Sequence, residues 1–432
     1  MRTPTEDSAP APVEVPVEEA TEEAVELMDP QVLNDPFGTF ARIREKAPLV
    51  RGRYPWGEPF WMATRHADVK AVLSDPDLVN NPRSVPGMDL PHVTAQVLDE
   101  ADFPPQYARY LLDSILYQDG HDHARLRKVS ARAFTARRVA QLRPTMEAMV
   151  DRLLRTLPEH ARDGSVDLLE HVAYPLSIAT ICEIAGVPEA ERQQWRDWGS
   201  AFYTLDFALL EPAVRGMADH LHTAIERRRA EPMDDLLTGL VQAEGDHGER
   251  LTDLEIVTLV LTFITAGNEV TAQFIGNGVA ALLTHPDQLA LLRSERELLP
   301  QAVQEIMRWC GPVQITQPRY AVRDLRVGGM PVRKGEQVMA VIAAAGYDPE
   351  VFPDPERFDI TRTPGARRET HVGFGFGPHY CLGAALALQE AEVAIDALLH
   401  RFPGLALAVP PSDLERQLFP GSWRLRALPL RL

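Results

Sequence analysis

Between about residues 122 and 310, apolar positions recur with a period near 3.6 residues, the signature of helices with one buried face. "HARLRKVSARAFT", "RRVAQLRPTMEAMVDRLLRTL", "SIATICEIAGV", "AVRGMADHLHTAIERRRA" and "DDLLTGLVQAE" all follow it. The longest run, "LTDLEIVTLVLTFITAGNEVTAQFIGNGVAALLTH", predicts a helix of about nine turns. Its Asp253, Glu255, Asn268, Glu269 and Asn277 fit a buried core helix better than a membrane span. "HPDQLALLRSE" and "LLPQAVQEIMRWC" continue the helical pattern.

Toward the chain ends the period changes. "DPFGTFARIREKAP" predicts a short helix ending before Pro48, and "LVRGRYPWGEPFWMATR" a hairpin turning at Pro55–Gly57. "HADVKAVLSDP" is a helix closed by a proline. Residues 79–118, with several prolines and aromatics, predict a long loop carrying one helical piece. Strand signals return in "QPRYAVRDLRVGGMPVRKGEQVMAVIAAA", "GLALAV" and "LRALPLRL". The proline-rich "YDPEVFPDPERFDITRTPGARRETHVGFGFG" between them is coil. The sum is a mainly α fold with small β-sheets, one domain over 28–432, preceded by a disordered acidic Pro/Glu-rich tail over 1–27.

Composition narrows the function. Of 432 residues, 62 are acidic and 44 basic, a formal charge of −18, which argues against broad nucleic-acid binding. The start of the chain lacks the apolar core of a secretion signal. Cys182, Cys310 and Cys381 are odd in number and widely spaced, so neither a disulfide framework nor a zinc site is predicted, and a reducing cytoplasm is the expected compartment.

The candidate chemistry lies in "GFGFGPHYCLGAAL" at 373–386. Glycines at 373, 375 and 377 permit close backbone approach, Pro378 stiffens the turn, and an amphipathic helix follows Cys381. A thiolate at a helix start suits a soft metal ligand. Three plainer readings compete. A free cysteine is most often a buried small hydrophobe, a phosphate loop would carry a Lys-Ser/Thr that is missing here, and a nucleophile would need more support than the adjacent His379.

"FGFGPHYCLG" resembles the haem-binding signature of the cytochrome P450 family, F-G-x-G-x-H-x-C-x-G, at every fixed position. The similarity runs from about residue 30 to the C-terminus. It implies a helix-rich domain around a buried haem b, with Cys381 as the axial iron ligand and Phe374, Gly375 and Gly383 shaping its loop. It makes His123 and Arg127 of "HDHARLR", with Arg319 and His379, the partners of the haem propionates. "EIMR" supplies Glu305 and Arg308, ordinarily a surface pair; the resemblance buries them with Arg357 of "FPDPERF" in a network that fixes the coil before the cysteine.

In "AGNEVT" the resemblance makes Ala266 and Gly267 room for dioxygen and Glu269 the proton-delivering acid. The family's next residue is usually threonine. Here it is Val270, which cannot hydrogen-bond, and Thr271 lies about 100° further round the helix. A substrate hydroxyl or ordered water completing the relay is the favoured account. A local helix distortion bringing in Thr271, or a reaction such as oxidative coupling, competes with it. Two smaller departures are "GYD" at 346–348 and "ALAL" at 385–388, where the family often has Asn-Arg-Asp and Pro-Leu-Ala-Arg.

The implied activity is monooxygenation, hydroxylation or epoxidation of a medium-to-large apolar molecule such as a secondary metabolite, with O2 and electrons from a separate ferredoxin and its reductase. Lys128, Arg132, Arg137 and Arg138 form the expected docking patch of a monomeric enzyme without membrane contact. The 80–117 loop, 195–215, Phe263 to Val270, 312–317 and 419–423 are the expected pocket lining. Peroxide-driven oxidation, a haem sensor or carrier without turnover, and a cysteine hydrolase are the alternatives.

Overall fold

The long helix, Asp253–Thr284, is the axis of the fold. In this computed structural model, residues 24–55, 57–202, 206–244, 250–363, 371–417 and 421–432 are described. The helix starts at a capping box: the Thr252 hydroxyl accepts from the Glu255 amide, and the Glu255 carboxylate accepts from the Thr252 amide. By length and composition it could cross a membrane, yet most of it is buried inside the molecule. The helices Tyr174–Ala185, Leu299–Cys310 and Ala384–Arg401 pack on it, and Ala384–Arg401 also packs on Ala136–Thr156. These helices share one large apolar core.

A second apolar core lies under a six-stranded sheet. Its strands run in the order Val25–Glu26, Leu49–Arg53, Phe60–Ala63, Gln337–Ala340, Arg319–Ala321 and Leu78–Val79. The predicted hairpin pairs antiparallel, with Leu49 opposite Ala63. Val338 lies between Trp61 on one side and Arg319 on the other, which carries Arg319 into the interior. The closing strand Pro429–Arg431 pairs with Ala406–Leu407 and Val166–Asp167.

Two expectations need correction. The 79–118 segment holds two helices, Val93–Glu100 and Pro105–Leu112, rather than one helical piece in a loop. Pro105 begins its helix, where a missing amide costs nothing. Prolines read as breakers are here initiators. Val25 and Glu26, expected in the tail, instead pair in parallel with Gly52 and Arg53; residues 1–23 lie outside the described residues.

Candidate active site

Cys381 is the exposed member of the three cysteines; Cys182 and Cys310 are buried, and burial pushes both thiols up to about 12. Its loop is built from the backbone. The Cys381 amide donates to the Phe374 carbonyl at 2.8 Å, and Gly375 takes a φ of 76° in the turn between them. Gly377 has φ 73°, and a Cβ there would stand 2.7 Å from the Leu73 carbonyl oxygen, so only glycine lets the loop rest on the His66–Ser74 helix. Gly383 caps the helix Ala384–Arg401 directly after the cysteine. The expected acidification of the thiol is outweighed: although the residue reaches the surface, the loop packed around its sulfur desolvates the thiol and raises it, against the Gly383 amide and Arg127, which lower it. A metal cation at the sulfur deprotonates such a thiol outright.

The coil leading to the loop is held from the helix Leu299–Cys310. Arg308 donates to both Glu305 oxygens at 2.7 Å, with both side chains almost wholly buried. Its remaining N–H groups reach the carbonyls of Gly346, Pro355 and Arg357. The third charge is Arg362, not Arg357. Arg362 Nε donates to Glu305 at 3.2 Å, and its guanidinium also grips the carbonyls of Pro353, Asp354 and Arg357. Arg357 is exposed and contributes its carbonyl alone to this grip. With every Arg308 donor satisfied, the buried charges are tolerable.

Four nitrogen-bearing side chains converge beside the loop. The rings of His123 and His379 stack with centroids 3.9 Å apart. Arg127 donates to the Tyr380 carbonyl at 2.5 Å, and buried Arg319 donates to the Leu78 carbonyl at 3.3 Å. Burial first, then His123, Arg319 and Arg127, drives His379 down to about 3, and burial followed by Arg127 lowers His123. Two guanidinium groups and two imidazole rings gathered here offer N–H donors to an anion. Asn80 Nδ2 lies 2.6 Å from His379 Nε2, a contact no motif announces.

Across the long helix, burial is interrupted at one place. Residues 256–264 are buried, whereas Ala266 is exposed and Thr265, Gly267 and Val270 are half-buried. A Cβ on Gly267 would meet Ile181 at an ordinary 3.5 Å, so no protein neighbour demands glycine there. Glu269 and Thr271 are buried. Glu269 accepts from the Tyr174 hydroxyl at 2.9 Å and lies 3.8 Å from the Arg424 guanidinium. Burial raises its carboxyl, against the pull of Arg424, Tyr174 and Gln273. Gln273 was detectable in principle, one turn beyond Glu269; Tyr174 and Arg424 come from distant segments.

The family profile described as Cytochrome P450 matches residues 198–415. The chain is 40% identical over 400 residues to cytochrome P450 monooxygenase PikC of Streptomyces venezuelae, covering 92% of this chain and 91% of that one. The chain belongs to the cytochrome P450 family. It is also 36% identical to the mycinamicin IV hydroxylase/epoxidase of Micromonospora griseorubida, over 88% of this chain and 91% of the relative. Among solved structures it resembles the LnmA cytochrome P450 hydroxylase from the leinamycin biosynthetic pathway of Streptomyces atroolivaceus S-140. The TM-score is 0.80 at 37% identity, covering 95% of this chain and 98% of that one.

As a P450, the chain is a monooxygenase whose family uses haem, O2 and redox partners. Its residues fit the cofactor: one accessible thiol on a glycine-turned loop, an anion-seeking cluster beside it, and a small-residue break in the burial of the long helix.

On the cysteine side, Lys128, Arg132 and Arg137 are exposed, while Arg138 is bonded to Asp234 at 2.7 Å. The sequence reading missed the aromatics there. Phe376 and Tyr380 are exposed, with the Lys70 ammonium 4.7 Å above the Phe376 ring. Of the expected lining, residues 203–205 and 419–420 lie outside the described residues.

Proposed function

We propose that this P450 holds haem b through Cys381 and hydroxylates or epoxidises a medium-to-large, mostly apolar secondary metabolite. The observation that carries the reading is Cys381 itself, an exposed thiol presented by a loop that hydrogen bonds, glycine geometry and a buried ion network all fix. A thiolate-ligated haem supplies the electron push that favours O–O cleavage. The rest is the work of the chain. His123, Arg127, Arg319 and His379 bind the propionates; Phe374, Gly375 and Gly383 shape the cradle. Ala266 and Gly267 leave space at the opposite face.

Glu269 holds the proton for the reaction. Val270 offers no hydroxyl to pass it on, so a hydroxyl of the substrate or an ordered water stands in its place. The mycinamicin IV hydroxylase/epoxidase and the leinamycin-pathway hydroxylase, by their names, support a secondary metabolite as the substrate. Electrons come from a ferredoxin and its reductase, docking on the face of Lys128, Arg132 and Arg137, and the enzyme works as a cytoplasmic monomer.

A screen of secondary metabolites by the shift in iron spin state identifies the substrate. With it bound, Val270→Thr leaves the fraction of reducing equivalents reaching product little changed. A large gain in that fraction overturns the substrate-assisted relay.

A further inference from the structure

A cavity of about 250 Å³ opens where the start of the long helix meets the helix Gly120–Ser130 and the segment before it. It lies outside the site described above. Asp113, Gln118, Asp122, Arg125, Glu255 and Thr258 supply polar lining, and Arg125 is bonded to Glu255. A water needs about 10–15 Å³ and two to four polar partners, so this space holds several.

Thr258 lines the cavity at 3% exposure, and its Oγ1 has no hydrogen-bond partner among the described residues. Buried threonines on helices ordinarily bond the carbonyl one turn back. Thr262 does so, to Thr258 at 2.7 Å, and Thr265 does so, to Leu261 at 2.8 Å. Thr258 does not. Thr262 Oγ1 also lies 3.1 Å from Ser114 Oγ, a hydroxyl arriving from another segment.

The three threonines stand at i, i+4 and i+7, one face of the helix, over a rise of about 10 Å. Valine would fill each position at no desolvation cost. The column ends at half-buried Thr265, beside exposed Ala266.

We infer that Thr258, Thr262 with Ser114, and Thr265, bridged by water, form a second proton route from the cavity to the face of the long helix around Ala266. The inference rests on the haem monooxygenase reading. Insertion of one oxygen atom of O2 into substrate sends the other out as water, so protons must arrive with the electrons. As the Thr262 and Thr265 hydroxyls turn from their own-helix carbonyls, each accepts a proton on a lone pair and releases its own to the next water, so the route carries charge without storing it. Such a route serves a helix whose Val270 cannot take part.

The test uses the ferric holoprotein without substrate and reads the enhancement of bulk-water proton relaxation by the iron, a measure of proton exchange with its face of the pocket. Thr258→Val and Thr262→Val each slow the exchange about three- to tenfold, the scale of losing one hydrogen-bonded hydroxyl. Thr258→Ser retains the hydroxyl and the wild-type rate, and Thr284→Val, at the far end of the same helix, changes nothing. Unchanged exchange in both Thr258→Val and Thr262→Val overturns the route. The carbon monoxide spectrum of the same samples tests the haem–thiolate reading separately.

Discussion

The Tyr174 hydroxyl donates to Glu269 Oε1 at 2.9 Å and itself lies 2.9 Å from Gln273 Nε2, which donates to it. The chain Gln273–Tyr174–Glu269 fixes the one acid next to Val270 and stabilises its charged form. Gln273 is anchored in turn by Leu425, whose amide and carbonyl both bond the Gln273 amide group. Tyr174→Phe removes a donor to the carboxylate, so the Glu269 carboxyl moves further upward from its already raised value. Glu269 acts in its protonated form, so the alkaline limb of the pH–rate profile shifts to higher pH. Glu269→Gln lowers product formation by about 10²- to 10⁴-fold and leaves the substrate-induced spin shift in place.

The ion network predicts unequal costs for two arginines that look alike in the sequence. Arg308→Ala leaves the buried Glu305 carboxylate short of its main partner and destabilises the fold by about 3–5 kcal/mol. Arg357→Ala, an exposed side chain, changes stability by less than about 0.5 kcal/mol. Arg362→Ala falls between them. Denaturant unfolding, with haem content measured on the same preparations, ranks the three.

Glu390, on the helix after the cysteine, accepts from Ser177 at 2.7 Å, and burial pushes its carboxyl up to about 7. The raised value means the folded protein holds this proton where the unfolded chain has released it. The stabilisation is complete below the ordinary carboxyl range and is lost as pH rises through about 7. The full swing is about 3 kcal/mol. Glu390→Gln abolishes this contribution, so its unfolding free energy changes less than the wild type's between about pH 4.5 and 7.

Reversing Arg132 and Arg137 to glutamate slows reduction by an acidic ferredoxin several-fold at low salt and leaves substrate binding intact. The difference shrinks as ionic strength rises. Reversal of Arg138 has less effect, because Asp234 already pairs with it. Stopped-flow reduction at two salt concentrations measures both.

Helix periodicity and the cysteine stretch were legible because both are local: the first follows from burial of one face, the second from residues within one turn of the sulfur. The prolines of 79–118 misled because proline opens a helix as readily as it ends one, and only the packing of Pro105–Leu112 on the core decides. Arg357 and Arg362 both lie in coil five residues apart, and which one reaches Glu305 depends on how the coil folds back over the helix Leu299–Cys310. Tyr174 and Arg424 meet Glu269 from segments 95 and 155 positions away, a contact no short motif encodes.

The absorption spectrum of the reduced protein under carbon monoxide tests the central claim most directly. The wild type binds haem and shows the red-shifted band of a thiolate ligand, and Cys381→Ser loses that band while remaining folded. A folded wild type that takes up no haem, or a Cys381→Ser variant that keeps the band, contradicts the account.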